Sequence, residues 1–138
     1  MPRDTAGVTV TEYRTYDGQR GADVRFDNAR VPASALIGAA GRGWDILEAS
    51  TDYGVALLCA EAVGAMEAAN ALTLEYLKTR KQFGVPIGTF QVLQHRMADM
   101  FMHAEQAKSI TILAAVKVLT AAPDERRKLV SAAKVRVG

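Results

Sequence analysis

Residues 80–95 read Arg-Lys-Gln-Phe-Gly-Val-Pro-Ile-Gly-Thr-Phe-Gln-Val-Leu-Gln-His. The stretch separates two long segments with helical periodicity, because Gly84 and Pro86 favour a turn at the break. It also gathers charged, amide and aromatic side chains, a mixture that a plain surface turn does not need. We therefore interpret residues 80–95 as the connection between two helices and as a candidate binding segment.

Helical patterns run on both sides of this stretch. The first predicted helix covers roughly residues 44–78, with apolar residues at steps of three and four. The second begins near Thr89, interpreted as its N-cap, and the third at Pro123, a favoured first helical position. The stripes expected to face inward are Leu58, Ala62, Ala65, Ala69, Leu72 and Tyr76 on the first helix, Phe90, Leu93, Met97, Met100, Ala104, Ala107, Thr111, Ala114 and Val118 on the second, and Val130, Ala133 and Val137 on the third.

The N-terminal part has a different pattern. Alternation with a period of two predicts strands around residues 8–11 and 22–26, with an Asp-Gly pair marking a turn between them. Two strands do not form a stable sheet alone. We therefore expect residues 1–40 to be the end of a larger, truncated β-domain and residues 41–138 to be part of a helical domain. The predicted fold class is mainly α, with long antiparallel helices of an incomplete four-helix bundle after a short β segment.

Composition excludes several classes of protein. The net charge of +2 is spread along the chain and gives no basis for a nucleic-acid partner. Cys59 is the only cysteine, so we expect no intrachain disulfide and a buried, inert thiol. His95 and His103 are too far apart in sequence for a one-turn metal pair, and no metal site is predicted. We expect a cytoplasmic protein without a membrane partner, because no signal peptide is visible and the apolar stretch 54–66 is short for a membrane span.

Side chains in the connecting stretch suit an anionic ligand with an aromatic base. Arg80 can make a bidentate contact to phosphate oxygens, and Phe83 offers a flat face for stacking. Gln91 lies in the first turn of a helix, whose free N–H groups can bind an anion. The alternative is that Arg80 and Lys81 are cations placed at the negative end of the first helix. Composition by itself leaves both interpretations open.

Three motifs stand out along the chain: Val24-Arg-Phe-Asp-x-x-x-Val-Pro32 with the following Leu36-Ile-Gly38 and Gly41-x-Gly-Trp44, then Tyr76-Leu-Lys-Thr-Arg-Lys-Gln-Phe-Gly84, and Phe90-Gln-x-x-Gln-His-x-Met-Ala-Asp-Met100. In their order and spacing, and over nearly the whole chain, they resemble the acyl-CoA dehydrogenase family. The sequence is most similar to the small subunits of pimeloyl-CoA dehydrogenase-like enzymes.

The resemblance implies a flavoprotein with an N-terminal helical domain, a central β-domain and a C-terminal four-helix bundle. This chain would hold the end of the middle domain and most of three C-terminal helices. Members of the family use FAD to remove hydrogen from Cα and Cβ of an acyl-CoA thioester, and they pass electrons to an acceptor. They form dimers or tetramers, and the resemblance places Arg80, Gln82, Phe83 and Gln91 against the FAD of a neighbouring subunit.

The chain departs from the family pattern within residues 50–55. Gly54 stands where some relatives carry a catalytic glutamate, and Val55 where most carry an arginine. Asp52 matches an aspartate that contacts substrate, although a solvated helix aspartate is an equal interpretation. No catalytic residue is identifiable, so two hypotheses remain: a working subunit of a homo-oligomer, or a non-catalytic structural subunit of a heterotetramer. A plain helical interaction module would leave residues 80–95 unexplained.

Overall fold

The computed structural model describes all 138 residues, which form two compact units, Met1–Gly43 and Trp44–Gly138. The boundary between the units lies three residues beyond the one predicted from sequence. The first unit contains an antiparallel hairpin of strands β1 (Val8–Arg14) and β2 (Arg20–Phe26). Both strands agree with the period-two prediction.

The hairpin turn is held by polar contacts around Asp17. The N–H of Thr15 donates to the carbonyl of Gln19 over 3.0 Å, and Gly18 takes a φ of 81° that glycine adopts without strain. The Asp17 carboxylate accepts hydrogen bonds from the Thr15 hydroxyl and the Gln19 N–H, and these lower the pKa of Asp17 below its usual value. The Asp-Gly turn predicted from sequence is confirmed.

The second unit consists of three helices. Helix α1 spans Gly43–Thr79, α2 spans Gln91–Lys117 and α3 spans Pro123–Val137. At ~1.5 Å per residue, α1 is about 55 Å long. The predicted bounds of α1 and the start of α3 at proline are confirmed, and the predicted fold class, mainly α with long antiparallel helices, is also confirmed.

The predicted N-cap of the second helix was wrong. Helix α2 begins after Phe90, and no side chain caps it. Thr89 belongs instead to a short 3₁₀ turn, Ile87–Thr89, where its hydroxyl donates to the carbonyl of Pro86 over 2.7 Å. Thr89 therefore lies one residue before the N-cap position, which Phe90 occupies.

The core of the bundle is built mainly from small side chains, which let α2 and α3 approach closely. The inward faces predicted for α2 and α3 are confirmed, because all of their residues are buried or half-buried. Cys59 is also buried, as expected, with 1% of its surface exposed. The main buried cluster contains Ala56, Cys59, Ala114, Val118, Val130 and Ala133.

The inward face predicted for α1 was wrong. Leu58, Leu72 and Tyr76 are 59%, 73% and 57% exposed, whereas the buried residues of this helix are Ala56, Cys59 and Val63. The buried face of α1 is rotated about the helix axis by one residue position, or ~100°, from the predicted face. Alanine is spread all around α1, so periodicity alone does not distinguish neighbouring faces. The predicted stripe forms an exposed apolar surface of the kind that a fourth bundle helix covers.

Helix α1 is long and apolar enough to cross a membrane by length and composition alone, and 17% of its most apolar window is buried. The sequence expectation, based on the shorter stretch 54–66, did not anticipate this. The criterion is also met by core helices of soluble proteins. In this chain α1 carries charged contacts to its neighbours, such as the 2.7 Å ion pair of Glu67 with Lys108, which raises the pKa of that lysine.

Candidate functional site

The connection between α1 and α2 is a miniature hairpin. Strand β3 (Lys81–Gln82) pairs antiparallel with β4 (Val85–Pro86), and only Phe83 and Gly84 lie between them. Both turn residues have positive φ, 54° for Phe83 and 81° for Gly84. This is the geometry of a type I′ turn, which matches the twist of the two strands.

Phe83 is unusual in this turn. The left-handed conformation suits glycine or asparagine, whereas a bulky side chain is strained by ~1–3 kcal/mol. The ring is nevertheless 91% exposed, and its one aromatic contact is an edge-to-face approach to Phe90 at 6.1 Å. A residue that is both strained and exposed contributes little to the core. Such positions cluster at binding sites, so Phe83 is the first candidate for contact with a ligand.

The hairpin is fixed firmly to the helices on either side of it. The Arg80 N–H donates to the carbonyl of Tyr76 over 2.9 Å, and the Arg80 carbonyl accepts from the N–H of Ile87 over 2.8 Å. Gly88 then packs against the last turn of α1, where a Cβ atom on it would lie 2.9 Å from the carbonyl oxygen of Leu77. The exposed turn therefore stands on a rigid base.

The four side chains proposed from sequence lie within this one segment. Arg80 directly follows α1, Gln82 is on β3, Phe83 is in the turn and Gln91 is the first residue of α2. All four are exposed, and their side chains make no hydrogen bond or ion pair within the chain. Their polar groups are therefore free to meet a ligand.

The charge and dipoles of this segment favour an anion. Arg80 and Lys81 are unpaired cations, whereas the neighbouring Lys78 is engaged by Glu75 over 2.8 Å. Helix α2 starts without a side-chain cap, and the N–H groups of Gln91 and Val92 are available at the positive end of its dipole, whereas those of Leu93 and Gln94 donate to the carbonyl of Phe90. An arginine, an uncapped helix and an exposed aromatic ring together suit a nucleotide carrying phosphate groups.

Asp52 lies in a different place, between α1 and α3. Its carboxylate accepts a hydrogen bond from Nε of Arg126 over 2.7 Å, and Nη2 of Arg126 lies 3.6 Å from Glu48. The side chains of Asp52 and Arg126 are only 14% and 12% exposed. The interpretation of Asp52 as a solvated aspartate was therefore wrong, because α3 brings an arginine against it. Contact of Asp52 with a substrate stays a prediction.

A second arginine extends this ion-pair cluster to the surface. Arg127 donates to Glu48 over 2.9 Å and to Asp124, and these two carboxylates raise the pKa of Arg127, with Asp124 as the larger influence. Glu48 and Asp52 are thus both bound by guanidinium groups. Sequence reasoning missed this cluster, although the consecutive arginines at the start of the third helix were visible.

The positions that depart from the family pattern lie next on α1. Gly54 is half-buried, and a Cβ atom on it would meet no other atom within 4 Å. Val55 packs against the buried cluster. Neither residue carries a group that moves a proton, although the structure has room for a side chain at position 54.

An apolar groove of about 690 Å³ lies beside the base of the hairpin, between the end of α1 and the start of α2. Leu74 and Phe101 line it, and both lie outside the stripes predicted from sequence. Elsewhere, no group of three or more His, Cys, Asp or Glu side chains is placed to hold a metal ion.

Comparisons with known proteins agree with this geometry. A family model described as "Acyl-CoA dehydrogenase, C-terminal domain" matches residues 41–138. A probable acyl-CoA dehydrogenase of Bacillus subtilis (strain 168), YngJ, is 38% identical over 118 residues, which cover 83% of this chain and 31% of that protein.

Solved structures match over almost the full chain. A crystal structure of an FAD-dependent dehydrogenase has a TM-score of 0.86 at 30% identity, covering 99% of this chain and 37% of that one. Butyryl-CoA dehydrogenase from Megasphaera elsdenii has a TM-score of 0.79 at 29% identity, covering 99% and 38%. The chain thus spans about a third of the length of these relatives. The match in sequence, fold and motif order shows that the chain belongs to the acyl-CoA dehydrogenase family.

Proposed function

We propose that this chain is part of a flavin-dependent subunit of the acyl-CoA dehydrogenase type, which removes hydrogen from Cα and Cβ of a CoA thioester. In this proposal Arg80, Gln82, Phe83 and Gln91 contact FAD across a subunit interface. The observation that carries it is the exposed, strained Phe83 beside an unpaired Arg80. The names of the relatives, an acyl-CoA dehydrogenase and an FAD-dependent dehydrogenase, support the same function.

The chemistry of the available groups fits FAD. The guanidinium of Arg80 matches the paired oxygens of a pyrophosphate, and the uncapped start of α2 adds N–H donors and a positive dipole. Gln82 and Gln91 offer amide groups that donate or accept, and Phe83 offers a face to an aromatic base. When bound, FAD supplies the hydride acceptor of the reaction. The residues named here bind and orient the cofactor and do not take part in proton transfer.

Arg80, Gln82, Phe83 and Gln91 are all exposed on the surface of the chain. Because the four side chains are exposed and have no partner within the chain, we propose that they complete a site on a second subunit. Either a homo-oligomer or a heterotetramer with a related subunit provides such a second subunit. A solved structure described as an electron transferring flavoprotein, 29% identical with a TM-score of 0.84, supports the proposal of an electron-transfer acceptor as a further partner.

A second candidate is a non-catalytic subunit that supports a catalytic one. Gly54 and Val55 favour it, because neither residue abstracts a proton or binds phosphate. The carboxylates nearby on α1 do not replace a base, since Arg126 and Arg127 engage both Glu48 and Asp52. This candidate predicts FAD binding across an interface without turnover by the subunit alone.

Purification of the protein at its full natural length tests both candidates. Flavin absorbance at a stoichiometric level and reduction of an artificial electron acceptor by short, medium or branched acyl-CoA thioesters support the working enzyme. Flavin bound without turnover, with activity gained on adding a related subunit, supports the second candidate. A protein that neither retains nor binds FAD at any concentration of added flavin contradicts both.

Replacing Phe83 with asparagine is expected to stabilise the fold and weaken FAD binding at the same time. Asparagine accepts the left-handed conformation, and Asn-Gly is favoured in a type I′ turn, so the free energy of unfolding should rise by about 1 kcal/mol. The loss of the stacking face should raise the dissociation constant for FAD by about fivefold. Chemical denaturation and flavin titration measure the two effects. Equal FAD affinity in wild type and Phe83→Asn would exclude Phe83 as a residue that contacts FAD.

A further inference from the structure

Gly88 and Gln94 link the hairpin to both long helices. We propose that they act as positioning residues: together they form a clasp that orients Arg80, Phe83 and Gln91 and so sets how tightly the assembled protein holds FAD. This inference rests on the proposed function, because it concerns the same cofactor site. Neither residue needs to touch the cofactor for the clasp to act.

The first half of the clasp is a hydrogen bond that reaches backwards along the chain. Nε2 of Gln94, on α2, donates to the carbonyl of Gly88 over 2.9 Å. The bond ties the 3₁₀ turn Ile87–Thr89 to the helix that follows it. Since Gln91 lies on the same first turns of α2, this bond fixes the hairpin relative to Gln91.

The second half is a close approach between backbones. Gly88 packs on the last turn of α1, so closely that a Cβ atom would lie 2.9 Å from the oxygen and 3.3 Å from the carbonyl carbon of Leu77. Both atoms belong to the backbone of α1 and cannot move aside by rotation of a side chain. Any residue larger than glycine therefore has to push the hairpin away from the end of α1, where Arg80 begins.

The two contacts join parts of the site that belong to different elements. Arg80 follows α1, Phe83 stands on the hairpin and Gln91 starts α2. FAD meets all three together only if their relative positions are fixed before binding, because ordering them at binding costs affinity. The edge-to-face contact between Phe83 and Phe90 supports the turn but does not tie it to α1. Gly88 and Gln94 supply that link.

Four variants of the full-length protein test the clasp. Gln94→Met keeps the length of the side chain and removes the donor, whereas Gln94→Lys restores a donor. Gly88→Ala adds one methyl group against Leu77, and Gly64→Ala is its matched control, because a Cβ atom at Gly64 on α1 meets no other atom within 4 Å. Each variant is measured for FAD affinity, for thermal unfolding of the FAD-free protein and for hydrogen exchange of the Ile87 amide.

Gln94→Met is expected to raise the dissociation constant for FAD about fivefold, because the hairpin then has to be ordered when FAD binds. Gly88→Ala is expected to raise it about tenfold or more, because the backbone itself has to move. In both variants the Ile87 amide, which donates to Arg80, should exchange faster in the FAD-free protein, and the fall in Tm should be too small to account for the loss of flavin. Gln94→Lys should return the exchange rate toward wild type, and Gly64→Ala should leave FAD affinity unchanged.

If both Gln94→Met and Gly88→Ala bind FAD with wild-type affinity, the proposed positioning role of Gly88 and Gln94 is wrong. A fall in Tm that accounts for the loss of flavin also overturns it, because the role would then be one of general stability. Failure of the proposed function is recognised separately: in that case Arg80→Ala and Phe83→Asn also leave FAD affinity unchanged. If those two variants lose affinity and the clasp variants do not, only the positioning role is excluded.

Discussion

Replacing Arg80 with alanine is expected to raise the dissociation constant for FAD in the assembled full-length protein by about 10- to 100-fold, because hydrogen bonds to charged groups are worth ~1.5–3 kcal/mol. The Arg80 side chain is exposed and has no partner within the chain, so its removal costs no internal contact. The loss should therefore appear in FAD affinity and not in the thermal unfolding of the FAD-free protein. Flavin fluorescence during titration measures it directly.

Two neighbouring substitutions serve as controls for this prediction. Arg80→Lys retains the positive charge but loses the planar fork, so it should recover only part of the affinity if the contact is bidentate. Lys81→Ala removes the adjacent unpaired cation, and a small effect there shows that position matters more than charge alone. An Arg80→Ala protein that retains FAD as well as wild type contradicts the cofactor-binding role of residues 80–91.

The inward faces of α2 and α3 were predicted correctly from their apolar periodicity, and that of α1 was not. On α2 and α3 the residues predicted to face inward, from Leu93 to Val137, are buried or half-buried, although apolar residues such as Phe101 and Val116 are exposed on α2. On α1, alanine is found on several faces, so the apolar pattern fits more than one rotation of the helix. The rotation of α1 is instead consistent with contacts to distant residues, such as Asp52 with Arg126 and Glu67 with Lys108. Periodicity within one helix does not contain that information.

The candidate site was also predictable only in part, because some of its features depend on backbone conformation and on distant residues. Arg80, Gln82, Phe83 and Gln91 are close in sequence, and a turn between two helices keeps them close in space, so the site was predictable as a segment. The left-handed backbone of Phe83 was not, because sequence preference at this turn position favours asparagine or glycine. The ion pair of Asp52 with Arg126 was also beyond prediction, since 74 residues separate the two.

Replacing Arg126 with methionine is expected to lower the free energy of unfolding by about 2–4 kcal/mol. Methionine fills much of the same volume, so the effect reports the charge and its hydrogen bond. Without the guanidinium, the carboxylate of Asp52 stays largely buried between α1 and α3 with no charged partner, and Glu48 keeps only Arg127. A carboxylate in that position is costly because water reaches it poorly. Denaturant unfolding of wild type and Arg126→Met measures the change.

The double variant Asp52→Asn with Arg126→Met separates this cause from a general packing defect. If the unpaired carboxylate is responsible, the double variant should be more stable than the sum of the two single losses predicts, with a coupling of about 1–3 kcal/mol. The matched comparison is Lys108→Met, which breaks the ion pair with Glu67 at the surface. Because both of those side chains are about half exposed, water takes over the lost contact, and the loss there should be clearly smaller than in Arg126→Met. Equal losses in Arg126→Met and Lys108→Met would mean that the Asp52 ion pair does not hold α3 against α1.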